Sequence, residues 1–183
     1  MHTKHVSPPP KRRPRGFSLI EAAVVVAVTA IVATAAVPSL VSFLDGRRLE
    51  AAATALAADV QFVRTEAVAR NVVVRLSFHD APAGTCWVVH TGPAGQCRCG
   101  DAPPAVCAGG AVEIKTVVLD AADRVGVRAN VASIGFDPMH GTSTPTGTLR
   151  LVDATGRAVH HIVNVMGRVR SCTPSGVPGW RAC

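Results

Sequence analysis

Residues 16–37 read GFSLIEAAVVVAVTAIVATAAV, and this stretch decides how the whole chain is organised. From Phe17 to Val37 it carries a single charge, Glu21. As a helix rising 1.5 Å per residue, a run of this length spans roughly 30 Å, about one bilayer hydrocarbon core. Lys11, Arg12, Arg13 and Arg15 precede it with no acidic residue among them, a bias that holds the N-terminus in the cytoplasm. A secretory signal peptide has a shorter apolar run, with a small-residue cleavage site after it. Here the run is too long, and the break at Gly16 lies in front.

The hexapeptide Gly16-Phe17-Ser18-Leu19-Ile20-Glu21 resembles the processing site of type IV prepilins and pseudopilins. The resemblance implies that a prepilin peptidase cuts between Gly16 and Phe17 and that Phe17 becomes N-methylated. Glu21 matches the assembly residue of that family. A carboxylate near the centre of a membrane helix costs about 2.5–3.5 kcal/mol, and less near an end, so it needs a partner. The partner that the resemblance implies is the amino group of a neighbouring subunit's first residue. Residues 1–16 are then a cytoplasmic leader, and 17–37 are the membrane-spanning half of an N-terminal helix. The chain is expected in the inner membrane as a single-pass protein, and afterwards in a filament of pilins or pseudopilins.

The formal charge of +7 is misleading until the leader is set aside. Removing its five basic residues leaves 14 basic groups against 12 acidic ones. That small surplus is concentrated late in the chain. Arg124, Arg128, Arg150, Arg157, Arg168, Arg170 and Arg181 share the last third with only Asp137 and Asp153.

Beyond the membrane segment, Pro38 removes a backbone donor and crowds the preceding turn, so it is expected to interrupt and kink the helix. Helical pattern resumes over residues 38–71, the periplasmic half. Leu49, Leu56, Val60, Val63 and Ala67 form one apolar stripe of 3.6-residue period. Arg48, Glu50, Asp59 and Arg70 are assigned to the opposite, polar face. Residues 72–183 then read as a globular β domain. Strands are predicted at 72–78, 86–91, 112–119, 124–136, 147–153, 158–165 and 168–172, short β-branched runs separated by Gly, Pro and Asp turns. The fold class expected is α+β, type IV pilin-like: a long N-terminal helix packed on a C-terminal antiparallel β domain.

Six cysteines in a chain whose bulk lies beyond the membrane point to an oxidising periplasm and to disulfides. Six allow fifteen pairings. Cys172 with Cys183 is the preferred pair, since it would tie down the Pro- and Gly-rich tail TPSGVPGWRA, which has no core of its own. Cys86, Cys97, Cys99 and Cys107 lie close together and are expected to pair among themselves, in an order left open. Cys97-Arg98-Cys99 lacks the two-residue spacer of zinc knuckles, so no metal is assigned, and no cofactor is expected.

Three further segments, 59–78, 134–143 and 149–172, are similar to the GspH/FimT group of minor pilins and pseudopilins. With the N-terminal motif the resemblance covers most of the mature chain, departing at residues 80–111 and in the final tail. Catalytic signatures are missing: there is no Gly-x-Ser-x-Gly elbow, Walker loop or His-Glu-x-x-His. His160 and His161 are adjacent on a predicted strand and so point to opposite faces. Enzymatic activity is not expected.

Arg168 and Arg170, two apart on a predicted strand, share a face about 6.5–7 Å apart, a spacing at which two guanidinium groups reach phosphates along one backbone. Gly167 allows a turn or a close backbone approach. Arg181 and Trp180, brought near by the tail disulfide, would add a cation beside a ring able to stack on an exposed base. In the GspH/FimT group a C-terminal Gly-Arg-x-Arg motif is associated with DNA uptake, so the resemblance implies a minor pilin that binds DNA for natural transformation. Two alternatives stay open: a GspH-like minor pseudopilin of a type II secretion system, and a purely structural initiator of pilus assembly.

Overall fold

The computed structural model describes residues 16–81, 83–100 and 102–183. The basic leader residues Lys4, Lys11, Arg12, Arg13 and Arg15 lie outside them. The chain divides into two compact units, Met1–Leu40 and Val41–Cys183. One helix, α1 (Leu19–Arg70), begins in the first and ends in the second.

In the first unit every described side chain is exposed, and Val24, Val25, Val26, Val28, Ile31 and Val32 each show more than half their surface. Leaving such side chains in water forfeits roughly 1.5–3 kcal/mol each relative to burial, so this segment requires an apolar environment. The helix is long and apolar enough to cross a membrane. Pro38 corrects one expectation. It lies within α1, which continues through it without interruption.

The second unit is built on the last half of α1. Leu49, Ala53, Leu56, Val60, Val63 and Ala67 are fully buried along one face. Asp59 is corrected by the same geometry. It is buried beside Leu56 and Val63, not on the polar face, because positions three and four apart share a helix side. The helix ends at Asn71, whose φ of 53° is left-handed. Val72 N–H donates to Ala67 O and Asn71 N–H to Val68 O, which satisfies the last carbonyls in a Schellman arrangement.

Eleven strands follow among the described residues: β1 (Val74–Ala81), β2 (Gly84–Thr91), β3 (Cys97–Arg98), β4 (Val106–Cys107), β5 (Glu113–Asp120), β6 (Val125–Ala129), β7 (Ser133–Phe136), β8 (Ser143–Thr144), β9 (Gly147–Asp153), β10 (Ala158–Val163) and β11 (Val169–Cys172). They form a five-stranded sheet β5-β2-β1-β7-β8, a four-stranded sheet β11-β10-β9-β6 and the small hairpin β3-β4, with all ladders antiparallel. The run 124–136, expected as one strand, is two. Val125–Ala129 pairs with β9, whereas Ser133–Phe136 crosses to pair with β1. The chain changes sheet at Asn130, whose Oδ1 accepts from Thr148 N.

The apolar stripe of α1 meets Val74, Leu76, Trp87, Val89, Ile134 and Phe136 of the first sheet and Val127, Leu149, Leu151, Val159 and Val163 of the second in one core. Buried polar groups of α1 are met in kind. Asp59 accepts from Trp87 Nε1 at 2.8 Å and pairs with Lys115 at 2.5 Å. Asp45 pairs with Arg124 at 3.1 Å, and Ala53 O accepts from the buried His161 ring at 2.9 Å. Three disulfides join Cys86 to Cys99, Cys97 to Cys107 and Cys172 to Cys183. The first draws the β3-β4 hairpin to β2, where Cys86, Val88 and His90 are buried although they point away from Trp87 and Val89. The tail also departs from expectation: Val177 is buried in the core and Trp180 packs against it.

Candidate nucleic-acid interface

The processing residues sit at the start of the described chain. Gly16 and Phe17 precede α1, and Glu21 lies in its first turn.

Arg168 and Arg170 flank the start of β11. The turn from β10 is closed by Asn164, whose N–H donates to Arg168 O at 3.1 Å and whose Oδ1 accepts from Arg168 N at 3.0 Å. Gly167 has a φ of 69°, and a Cβ on it would fall 2.6 Å from Gly141 O. A side chain there is excluded twice, by backbone conformation and by close approach. Ser143 stitches the neighbouring loop to this turn, its N–H donating to Val165 O and its hydroxyl to Asn164 O. The turn is therefore held by the start of β8 as well as by its own strands.

Arg168 lies one residue outside β11, and Arg170 lies within it opposite Ile162. Both are exposed, while Val169 between them packs toward the core. Neither arginine makes an ion pair among the described residues. Asp153, an acid within the basic third of the chain, is occupied elsewhere. It accepts from Thr155 and, at 2.7 Å, from Arg157 Nε. Burial alone would raise its pKa, but those hydrogen bonds outweigh it and hold the carboxyl below its usual range.

Arg181 and Trp180 are not gathered with this pair. Arg181 O accepts from Thr173 N, just past the far end of β11, five residues along the chain from Arg168 or roughly 16 Å of strand. Trp180 is partly buried and meets the His161 ring edge-on at 5.9 Å, so it offers no free stacking platform beside the arginines.

Two arginines that sequence reasoning did not single out do join them. In register, Arg128 on β6 faces Arg150 on β9, Arg150 faces His160 on β10, and His160 faces Cys172 on β11. Cross-strand partners point to the same side of a sheet, so Arg128, Arg150, His160 and Arg170 share the outward face of the four-stranded sheet. Partial burial, then the neighbouring Arg150, lower the His160 pKa. Alternation with the inward Val127, Leu149 and Leu151 marks Arg128 and Arg150 as outward, but which strands lie side by side is not legible in either segment alone.

The family described as Type II transport protein GspH matches residues 52–167, and the prokaryotic N-terminal methylation motif matches residues 11–37. The first match covers more than half of the chain, and the protein belongs to the GspH family of pilin-like proteins. It ends at Gly167, so Arg168, Arg170 and the disulfide-bonded tail lie beyond it. The "Type II secretion system protein H" of Xanthomonas campestris pv. campestris is 36% identical over 75 residues, which is 41% of this chain and 44% of that relative. The match thus spans under half of the relative's length. The crystal structure of the type IV minor pilin FimU of Pseudomonas aeruginosa is 19% identical, with a TM-score of 0.49 over 75% of this chain and 98% of that one. A second crystal form of it gives 0.45 over 72% of this chain.

Proposed function

We propose that this member of the family is a minor type IV pilin that binds DNA for uptake. In this reading the leader 1–16 is removed by prepilin peptidase between Gly16 and Phe17, and Phe17 is methylated. Residues 17–37 anchor the chain in the inner membrane with residues 72–183 in the periplasm. Glu21 later pairs with the amino group of a neighbouring subunit as the chain enters the filament. Arg168 and Arg170 then contact DNA phosphates.

One observation carries the DNA reading: two exposed guanidinium groups at the mouth of a braced hairpin, with no carboxylate paired to either among the described residues. Guanidinium groups without an internal partner are available to phosphate, and such contacts position nucleic acid without reading its sequence. The test is a gel-shift titration of residues 41–183, a unit with its own core. Arg168→Gln with Arg170→Gln should weaken binding to unrelated duplexes equally and lower the log–log salt slope by about 0.9 per lost contact. A wild-type fragment that binds no DNA at low salt sinks the reading.

A second reading, a minor pseudopilin of a type II secretion machine, is favoured by the name of the Xanthomonas relative. Deleting the gene separates the two. Loss of transformation with intact exoprotein export supports the pilin, and the reverse supports the pseudopilin.

A further inference from the structure

Resting on the DNA reading, we propose that the ligand is duplex DNA and that Arg128 and Arg150 form a second set of phosphate contacts across the outward face of the four-stranded sheet. The face has an unusual charge pattern. Arg128 and Arg150 are exposed and directly opposite each other on β6 and β9, and like charges so placed destabilise a sheet. Neither makes an ion pair among the described residues. The other outward strand positions that reach solvent are Gly126, Thr148, Val152, His160, Ile162 and Arg170, and none is acidic. A surface that only needed to stay solvated would gain from a carboxylate opposite either arginine. None of these strand positions carries one, and Asp80 and Asp120, which border the same clefts as Arg128, make no ion pair with it.

Geometry selects the duplex. Arg168, one residue before β11, and Arg170 within it lie in a line along the strand direction, about 7 Å apart. Arg128 and Arg150 lie in a line across the strands, about 4.8 Å apart, beginning two strands away from Arg170. Arg150 and Arg170 are then about 12 Å apart from strand spacing and rise. One flexible strand follows a single line of cations, whereas two phosphate backbones fixed relative to each other can meet two lines at once. The strands themselves are held rigidly from behind by Val127, Leu149, Leu151 and Val163 in the core. Aromatic stacking, on which single-strand binders depend, is not offered here. Trp87 and Phe136 are buried, Trp180 is turned onto His161, and no outward position of this sheet carries Phe or Trp.

The experiment uses residues 41–183 and fluorescence anisotropy with a duplex of about 30 base pairs, roughly 100 Å long and so ample for both lines of arginines, its separated single strand, and vesicles containing phosphatidylglycerol, across a salt series. Arg128→Gln with Arg150→Gln should lower the duplex salt slope by about 1.8, as expected for two lost contacts. Arg128→Lys with Arg150→Lys should restore most of that slope, since a point charge suffices for a phosphate. Wild type should bind the duplex more tightly than the single strand. A Gln pair with the wild-type duplex slope overturns this inference while leaving Arg168 and Arg170 in place. Tighter single-strand binding overturns the duplex assignment. Loss of vesicle binding with duplex binding unchanged would make the face a lipid surface instead. Wild type that binds neither duplex nor single strand at low salt removes the underlying reading altogether. Thermal melts keep the variants interpretable: removing an exposed like-charge pair should not lower stability.

Discussion

The loop ends that meet α1 and the outward face of the four-stranded sheet use arginine in opposite ways. Beside the helix, Arg124 is committed to the buried Asp45, and Arg157 to the buried Asp153 while also donating to Ser42 O at 3.0 Å. These guanidinium groups tie loop ends of the second unit to α1. On the outward face, Arg128, Arg150 and Arg170 have no such partner among the described residues. The residue type is the same, so pairing is what separates the fastenings from the arginines proposed to bind DNA. The contrast can be broken from either side.

The largest effect is expected on the fastened side. Asp153→Ala should destabilise residues 41–183 by about 3–5 kcal/mol, because it leaves the part-buried Arg157 without its counter-charge and strips acceptors from Thr155 and Arg157 backbone N–H groups. Urea unfolding followed by tryptophan fluorescence measures it. DNA binding of the fraction that remains folded should stay at the wild-type level. A loss below about 1 kcal/mol would mean that Asp153 is not a fastening.

Next comes the tail, which bridges the two kinds of region. Cys183→Ser opens a loop closed across a sequence separation of 11 residues. Closures of that size are worth roughly 3 kcal/mol in the chain-entropy model. Val177 and Trp180 belong to the core, so the change should also loosen the packing of Trp180 on His161. A red shift of tryptophan emission before global unfolding would report it. Emission unchanged up to the main transition would show that the tail stays packed without its bridge.

Acidification probes three wholly or partly buried histidines, His161 on the four-stranded sheet and His79 and His90 on the five-stranded one. Burial is the largest cause lowering the pKa values of His79, His90 and His161. The unfolded chain takes up protons below about pH 6.5, where these folded-state groups resist them, so stability is full at neutral pH and falls toward about pH 5. Asp153 and Asp137, with lowered pKa values, contribute stability that is present above the unfolded carboxylate range and lost only below about pH 4. Urea midpoints at about pH 7.5 and about pH 5 therefore isolate the histidines. Equal midpoints would contradict their burial as neutral rings.

Legibility in the sequence follows the range of the interactions. Leu49, Leu56, Val60, Val63 and Ala67 declare their face through local periodicity, and the structure buries all five. Asp59 sets charge against position: its carboxylate argues for the polar face, its place between Leu56 and Val63 for the stripe, and position wins. What makes that burial tolerable is a Trp87 indole 28 residues away, together with Lys115. The split of 124–136 is hidden for a related reason. Both halves are β-branched and apolar, and only their partners, β9 and β1, reveal that they serve different sheets. A tail rich in Gly and Pro argues for a free Trp180, yet a ring on β10 packs it. Arg168 and Arg170 are visible as a candidate pair from spacing alone. Arg128 and Arg150, far apart in the chain, become neighbours only through the β6–β9 register.

The smallest change in stability should come from the sharpest test of the comparison. Arg150→Glu converts the outward face, at one position, into the arrangement found beside the helix: an arginine opposite a carboxylate. Cross-strand pairs of opposite charge contribute roughly 0.2–1 kcal/mol, and like charges cost a similar amount, so the variant should be slightly more stable than wild type. Its new carboxylate also lies opposite His160, which should favour the charged ring and raise the His160 pKa relative to wild type, where Arg150 helps to lower it. Duplex binding should move the other way. One phosphate contact is lost, Arg128 becomes engaged by the introduced carboxylate, and a repulsive charge faces the DNA, so the loss should exceed that of Arg150→Gln at the same salt. Opposite signs in melting temperature and affinity are hard to obtain from a misfolded protein. A variant that is stabilised yet binds duplex as wild type does would mean that the outward arginines are left unpaired for some reason other than DNA. A variant that is destabilised would mean that the register of β6 and β9 does not bring positions 128 and 150 together.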